Sequence, residues 1–291
     1  MPITCRGLEQ HGVVLIPPSA PEYAELLQDI LTRARTRLKG GPPVDEEDRA
    51  FSSEASVVLR NGGRNAIVSI AYVWEVRLDR DGRVVTHSTT PATNPSVLLP
   101  FGLQERAIKF HRYWNTIFPG SKRLIQFQGG MLGDNTDVRQ PEPDELWHGG
   151  FFGSRAAFRR TGREPLRLIL DGVFFADGGF AGADELGMYE QTVSAAEAFL
   201  EVAQLARNTR QTGMSPTAFL DEVRTLTGQS EGGRLPPPPP PGPHPAGSLR
   251  KRERANVGFQ VLQMRTRLGD EALIERVANW GDLPVPAFYK L

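Results

Sequence analysis

The first 54 residues carry a short apolar run followed by a helical pattern. Val13–Ile16 is a β-type run that ends at Pro17. Ser19 then opens a predicted helix, in which apolar residues recur at helical spacing. These residues are Tyr23, Leu26, Leu27, Ile30, Leu31, Ala34 and Leu38. No periodic pattern precedes Val13, so we expect the terminus around Cys5 to be frayed.

The clearest β pattern lies between residues 56 and 89. Ser56–Arg60 reads as a strand, and Asn61–Asn65 reads as a turn of residues that tolerate positive φ. Ala66–Leu78 reads as a long strand, and Asp79–Gly82 is a hairpin signal that returns the chain to Thr89. Alternation places one set of residues of the long strand on a single face: Val68, Ile70, Tyr72, Trp74, Val76 and Leu78.

Shorter elements and one long loop complete the first half of the chain. Val97–Leu99 and Arg123–Phe127 read as strands, and residues 103–114 have helical spacing. Residues 128–164 form a predicted loop rich in Gly, Pro, Asp and Arg, and loops of that length are usually functional or mobile. Leu166–Phe175 is a further strand, and Asp177-Gly178-Gly179 is a hairpin turn.

Helical patterns replace strands from about residue 183. One face of the first predicted helix contains Leu186, Tyr189, Val193, Ala196, Leu200 and Ala203. A second helix begins at Ser215, with Pro216 at its first position, and ends near Gly228; two more cover residues 249–268 and 270–280. Strands followed by helices predict an α+β fold.

These patterns divide the chain into five predicted parts. They are an N-terminal strand, helix and loop (1–54), a β-sandwich domain (55–182), a helical region (183–228), a proline-rich linker (229–248) and a C-terminal helical segment (249–291). The six prolines from Pro236 to Pro241 predict polyproline II structure. The run is either a stiff spacer or, with Pro236, Pro239, Arg250 and Arg252, a segment that binds a protein partner.

Residues 56–127 and 166–181 resemble an immunoglobulin-like β-sandwich. The resemblance rests on the first strand, the Asn61-Gly62-Gly63 turn and several later positions: Ile67, Ala71, Trp74, Asp81-Gly82, Leu99-Pro100, Pro119-Gly120 and residues 170–179. It implies an antiparallel β-sandwich with an N-terminal helix and a helical C-terminal region. The two cysteines that flank a tryptophan in antibody domains are absent. The resemblance implies a fold and no chemistry.

The charge, the cysteine content and the apolar runs of the chain argue against several classes of protein. The chain has 34 basic and 34 acidic residues, whereas nucleic-acid binders carry a basic excess, so we expect no nucleic-acid partner. Cys5 is the single cysteine, so no intramolecular disulfide can form. No apolar run reaches the roughly 20 residues of a membrane span, and the N-terminus lacks a signal-peptide core. We therefore expect a cytoplasmic protein with no membrane partner.

The long loop contains the candidate chemical residues. Asp134 and Asp137 are spaced as ligands for calcium or another divalent metal, although a solvated turn in which Asp and Asn cap their own backbone is the favoured explanation. His148, among aromatic residues and glycines, is a candidate general base. Neither the two aspartates nor His148 belongs to an established metal-binding or catalytic motif. We expect no cofactor, with a divalent metal as the alternative.

These observations favour a non-enzymatic binding or scaffold protein. The alternative is a hydrolase, dependent on a metal or on acid–base catalysis, with its site in residues 129–153. The terminal helices carry too many apolar residues for a free tail, so we expect them to pack on the body of the protein or on a second copy. A protein partner or self-association is thus the expected mode of action.

Overall fold

The computed structural model describes residues 3–37, 56–77, 84–89, 116–126, 131–133, 166–229, 247–282 and 287–291. Its strands are β1 (Ile3–Arg6), β2 (Val13–Ile16), β3 (Ser56–Asn61), β4 (Ile67–Arg77), β5 (Val84–Thr89), β6 (Lys122–Gln126), β7 (Met131–Gly133), β8 (Leu166–Phe175), β9 (Gly179–Gly182) and β10 (Tyr289–Lys290). Its α-helices are α1 (Tyr23–Arg37), α2 (Met188–Thr212), α3 (Pro216–Thr227), α4 (Ser248–Leu268) and α5 (Asp270–Ala278). The predicted α+β class is confirmed.

The chain forms two compact units. Among the described residues, the first unit contains those up to Ala183 together with Lys290 and Leu291, and the second contains Asp184–Tyr289. The first unit holds both sheets and α1, and the second holds the other four helices of the described residues. The change from strands to helices therefore falls at the boundary between the units.

The first unit contains a six-stranded and a four-stranded sheet. The larger sheet has the order β10-β9-β8-β4-β5, with β1 also paired to β8, and the smaller has the order β2-β3-β6-β7. β1 runs parallel to β8, pairing Ile3 with Leu166, so the larger sheet is mixed. This departs from the wholly antiparallel arrangement that the immunoglobulin resemblance implies, and the resemblance itself stays a prediction.

The expectation of a frayed N-terminus is wrong. Cys5 lies in β1, opposite Leu168 of β8, and Ile3 is buried in the core between the sheets. Leu8 then pairs with Val13 through backbone hydrogen bonds, which turns the chain directly into β2. The four residues of β1 are too few for alternation to be visible in the sequence, and their pairing partner lies some 160 residues away.

Alternation along the short strands builds two layers of core. Val13 and Leu15 of β2, with Val57 and Leu59 of β3, belong to the cluster that includes Leu168 and other residues of the larger sheet. A second cluster lies between the smaller sheet and α1. It consists of Ile16, Val58 and Leu124 of the sheet with Tyr23, Leu27 and Ile30 of α1. The smaller sheet is therefore buried on both faces, with α1 on one side and the larger sheet on the other.

A β-bulge changes the predicted face of the long strand. The register of β4 against β8 shifts between Ile67 and Ser69, so Val68 has no partner in the ladder. Ile67, not Val68, therefore shares the core cluster with Ile70 and Trp74. One extra residue reverses the alternation, which a regular period of two cannot predict.

The helices of the second unit begin and end where local chemistry favours it. Ser215 caps α3, its hydroxyl accepting a hydrogen bond from the Ala218 amide at 3.3 Å, and Pro216 follows. Gly213 and Gly228 end α2 and α3 with positive φ. In the core, the rings of Phe199 and Trp280 stack with centroids 4.5 Å apart.

The predicted buried face of α2 is partly wrong. Leu200 is 41% exposed, whereas its neighbour Phe199 is fully buried. α3, α4 and α5 all contact α2, so its buried surface is wide and is rich in small residues. These buried residues are Met188, Thr192, Ser194, Ala196, Ala198, Phe199, Val202, Ala203, Ala206 and Thr209.

Several predicted elements lie outside the described residues. They are the hairpin turn at 79–82, the strand at 97–99, the helix at 103–114 and most of the linker at 229–248. The predicted loop 128–164 also lies mostly outside them, but its residues Met131–Gly133 form β7, which pairs antiparallel with β6. That part of the loop prediction is wrong.

Candidate functional site

An open groove of about 1000 Å³ lies on the helical unit. We call it the helical groove. It runs between α2, α3 and the first turn of α4 and is lined by Glu197, Leu200, Glu201, Gln204, Leu205, Asn208, Glu222, Thr225, Leu226 and Arg250. All of these residues belong to the second unit, so the groove is complete without the sheets.

Helical periodicity brings these residues to one surface. Glu197, Glu201, Gln204 and Asn208 follow one another on α2 at spacings of four, three and four residues, which places them along one face. Leu200 lies beside that row and is 41% exposed. On α3, the adjacent positions Thr225 and Leu226 face the same space one turn after Glu222.

Ion pairs hold the first two turns of α4 against α2. The Glu201 carboxylate accepts hydrogen bonds from Arg254 Nε at 2.7 Å, Arg254 Nη2 at 2.8 Å and Arg250 Nη2 at 2.6 Å. The hydrogen bonds from Arg254, and to a smaller extent the one from Arg250, hold the pKa of Glu201 below its usual range. The hydrogen bonds to Glu201 raise the pKa of Arg254. Glu201 is therefore a charged, fully engaged group.

The other two carboxylates of the groove are less engaged. Glu197 meets Arg250 only at 3.5 Å, and its side chain is 47% exposed. Glu222 is exposed and makes no ion pair within the described part of the chain. The groove therefore has a net negative lining that contains the exposed Leu200, and Glu222 is its least engaged carboxylate.

Arg252, which the sequence offered as a partner-binding residue, points elsewhere. Its guanidinium donates to Glu253 at 2.6 Å, and Glu253 is buried, with further hydrogen bonds from Asn256 at 2.8 Å and from Gln191 at 3.4 Å. This network links α4 to α2 and offsets the cost of removing the Glu253 carboxylate from water. Arg250 does line the groove, whereas Pro236 and Pro239 lie outside the described residues.

A close helix crossing fixes the wall formed by α3 and α4. Gly258 of α4 lies directly against Thr227 of α3, and a Cβ added at Gly258 would come within 2.5 Å of Thr227 Cβ. The Thr227 hydroxyl donates to the Val223 carbonyl at 2.7 Å, and the side chain is buried. Only glycine permits this approach, which sets the distance between Leu226 and the first turn of α4.

The sequence also predicted chemical residues in the long loop. Asp134, Asp137 and His148 lie outside the described residues, so the metal site and the hydrolase alternative stay predictions. No cluster of three or more potential metal ligands occurs among the residues that the structure describes. Burial, and then the charge of Glu9, raise the pKa of the Cys5 thiol to about 12, which disfavours a reactive thiolate.

Sequence reasoning missed most of the groove. The signal that could have found Glu197, Glu201 and Asn208 is their spacing along one helical face, with Leu200 beside it.

Of the helices in the described ranges, none combines the length and apolar character that a membrane crossing requires. No protein-family model, curated protein sequence or solved structure matches the chain.

Proposed function

We propose that the protein is a non-enzymatic binding protein and that the helical groove holds a segment of a protein partner. The observation that carries this proposal is the exposure of Leu200 inside a groove with a charged rim. Single exposed leucines are ordinary on protein surfaces. Leu200 lines an open groove together with Leu205, Leu226 and several polar residues, and interfaces combine an apolar centre with a polar rim.

The chemistry of the lining favours binding over catalysis. A general acid needs a raised carboxyl pKa, whereas the pKa of Glu201 is lowered by its arginine partners. The lining of the groove also includes the apolar side chains of Leu200, Leu205 and Leu226, which suit a partner's apolar side chains. These features support a docking surface that also fits the scaffold role predicted from the sequence.

Proximity labelling in the cells that produce the protein tests this proposal. The full chain fused to a labelling enzyme is compared with the variants Leu200→Glu and Leu268→Glu. Leu268 is the matched control, because it is 46% exposed on α4 and does not line the groove. We expect Leu200→Glu to remove specific partners that Leu268→Glu retains. Identical partner sets for all three proteins would refute a binding role for the groove.

A further inference from the structure

The backbone of the helical groove restricts what its occupant can be. The longest wall is α2, and its lining residues from Glu197 to Asn208 have their backbone groups bonded within the helix. An extended segment in the groove would find few backbone partners there and would leave its own polar groups unpaired. A helix satisfies its own backbone and needs only side-chain contacts.

The charge of the groove restricts the occupant further. The lining has three glutamates, Glu197, Glu201 and Glu222, and one arginine, so its net charge is negative. Arg250 pairs with Glu201 at 2.6 Å and with Glu197 at 3.5 Å, which leaves Glu222 as the lining carboxylate with no ion pair among the described residues. Leu200, Leu205 and Leu226 are the apolar residues of the same lining. An occupant that complements this surface has apolar side chains at helical spacing, with lysine or arginine beside them.

We propose that the occupant is a cationic amphipathic helix of a partner protein. The proposal rests on the binding function proposed above and adds the chemical class of the partner. The helix would place its apolar stripe on Leu200 and its basic residues next to Glu197 and Glu222.

A second copy of this chain fits the groove less well. Four basic residues lie at the start of α4, and three of them, Arg250, Arg252 and Arg254, are each in an ion pair with a glutamate of their own chain. Inserting that turn into a neighbouring groove would break those pairs. The observations therefore favour a different protein as the source of the basic helix.

Two synthetic peptides of about 20 residues, long enough to form helices, test the proposal. Both carry leucine at helical spacing, and they differ only in flanking lysine or flanking glutamate. Fluorescence anisotropy measures their binding to the full chain and to four variants. These are Leu200→Asp, Glu197→Gln combined with Glu222→Gln, and the controls Leu268→Asp and Glu275→Gln; Glu275 is an exposed acid of α5 outside the groove.

The lysine peptide is expected to bind about fivefold more tightly than the glutamate peptide, as two exposed ion pairs allow. The double glutamine variant should abolish this preference, and Leu200→Asp should weaken binding about tenfold or more, as loss of a buried leucine contact implies. Both controls should bind like the wild type. Equal binding of the two peptides, or no effect of the groove variants, would overturn the proposal.

Other outcomes separate this inference from the proposed function. If neither peptide binds while Leu200→Glu still removes partners in cells, the basic helix is the wrong class and the binding function stands. Sedimentation that shows a dimer lost in Leu200→Asp would assign the groove to a second copy and overturn the proposal. Peptide binding that appears only after Pro236–Pro241 is replaced by glycine and serine would assign the groove to this segment of the chain itself. That result would also overturn the proposal.

Discussion

The substitution Gly258→Ala tests the close crossing of α3 and α4 beside the groove. In an exposed helix interior, alanine is more stable than glycine by about 1 kcal/mol, so the change would ordinarily stabilise α4. At Gly258 the added Cβ meets the Thr227 hydroxyl and lies 2.5 Å from its Cβ and 2.9 Å from its Cγ2. Real Cβ contacts below 3.0 Å essentially never occur, so one helix must move.

The expected net effect is a loss of about 1 kcal/mol in the free energy of unfolding. Overpacking of a tight contact costs about 1–3 kcal/mol, which offsets the gain of about 1 kcal/mol in helix propensity. Thr227 cannot relieve the contact cheaply, because it is buried and its hydroxyl is bonded to the Val223 carbonyl at 2.7 Å. The two effects therefore have opposite signs, and the steric effect is the larger.

Urea unfolding of five variants separates these effects: Gly258→Ala, Gln263→Ala, Gln263→Gly, Thr227→Ala, and Gly258→Ala combined with Thr227→Ala. Gln263 is exposed on α4, so Gln263→Ala and Gln263→Gly measure the preference of this helix for alanine without a steric contact. Thr227→Ala removes Oγ1 and Cγ2 but keeps Cβ, which is 2.5 Å from the added Cβ, so Gly258→Ala should cost less in that background without becoming neutral. If Gly258→Ala stabilises the protein as much as alanine does over glycine at position 263, the inferred crossing is wrong.

Two further predictions concern ionisable groups. Glu201 has a lowered pKa in the folded state, so its ion pairs stabilise the protein above the unfolded pKa, and this stability is lost as pH falls through the folded value. Urea unfolding from about pH 6 to pH 3 should therefore lose less stability in Glu201→Gln than in the wild type; parallel curves would contradict this. Cys5 has a pKa of about 12, so at about pH 8 maleimide should label the folded protein at least about a hundredfold more slowly than the urea-unfolded protein, and equal rates would contradict its burial in β1.

Local chemistry explains which elements the sequence could predict. β2 and β8 have the predicted bounds, because a proline or a turn of aspartate and glycine follows each apolar run. α3 begins as predicted, because Ser215 and Pro216 act within one turn. β1 could not be predicted, because four residues gain their order from pairing with β8 far along the chain. The bulge at Val68 likewise depends on the partner strand.

The error at Leu200 shows why the groove could not be predicted from one helix alone. The spacing of Leu186, Val193 and Leu200 is compatible with a buried stripe, and the more apolar stripe is the reasonable choice for the core. The structure buries Ala196 and Ala203 of that predicted face, but the core side of α2 also includes Phe199, Val202 and Ala206, and three helices pack against it. Leu200 of the predicted face remains outside this core side.

Leu200 is 41% exposed, so covering it completely would recover about two fifths of the full burial of a leucine side chain, about 0.6–1.2 kcal/mol. A partner helix that covers Leu200 would gain this free energy on binding. The same logic applies to Glu222, which has no ion pair within the described residues although Arg250 and Arg254 both satisfy Glu201 nearby. The exposed leucine and the accessible carboxylates occur in one groove, and a single basic helix would satisfy both.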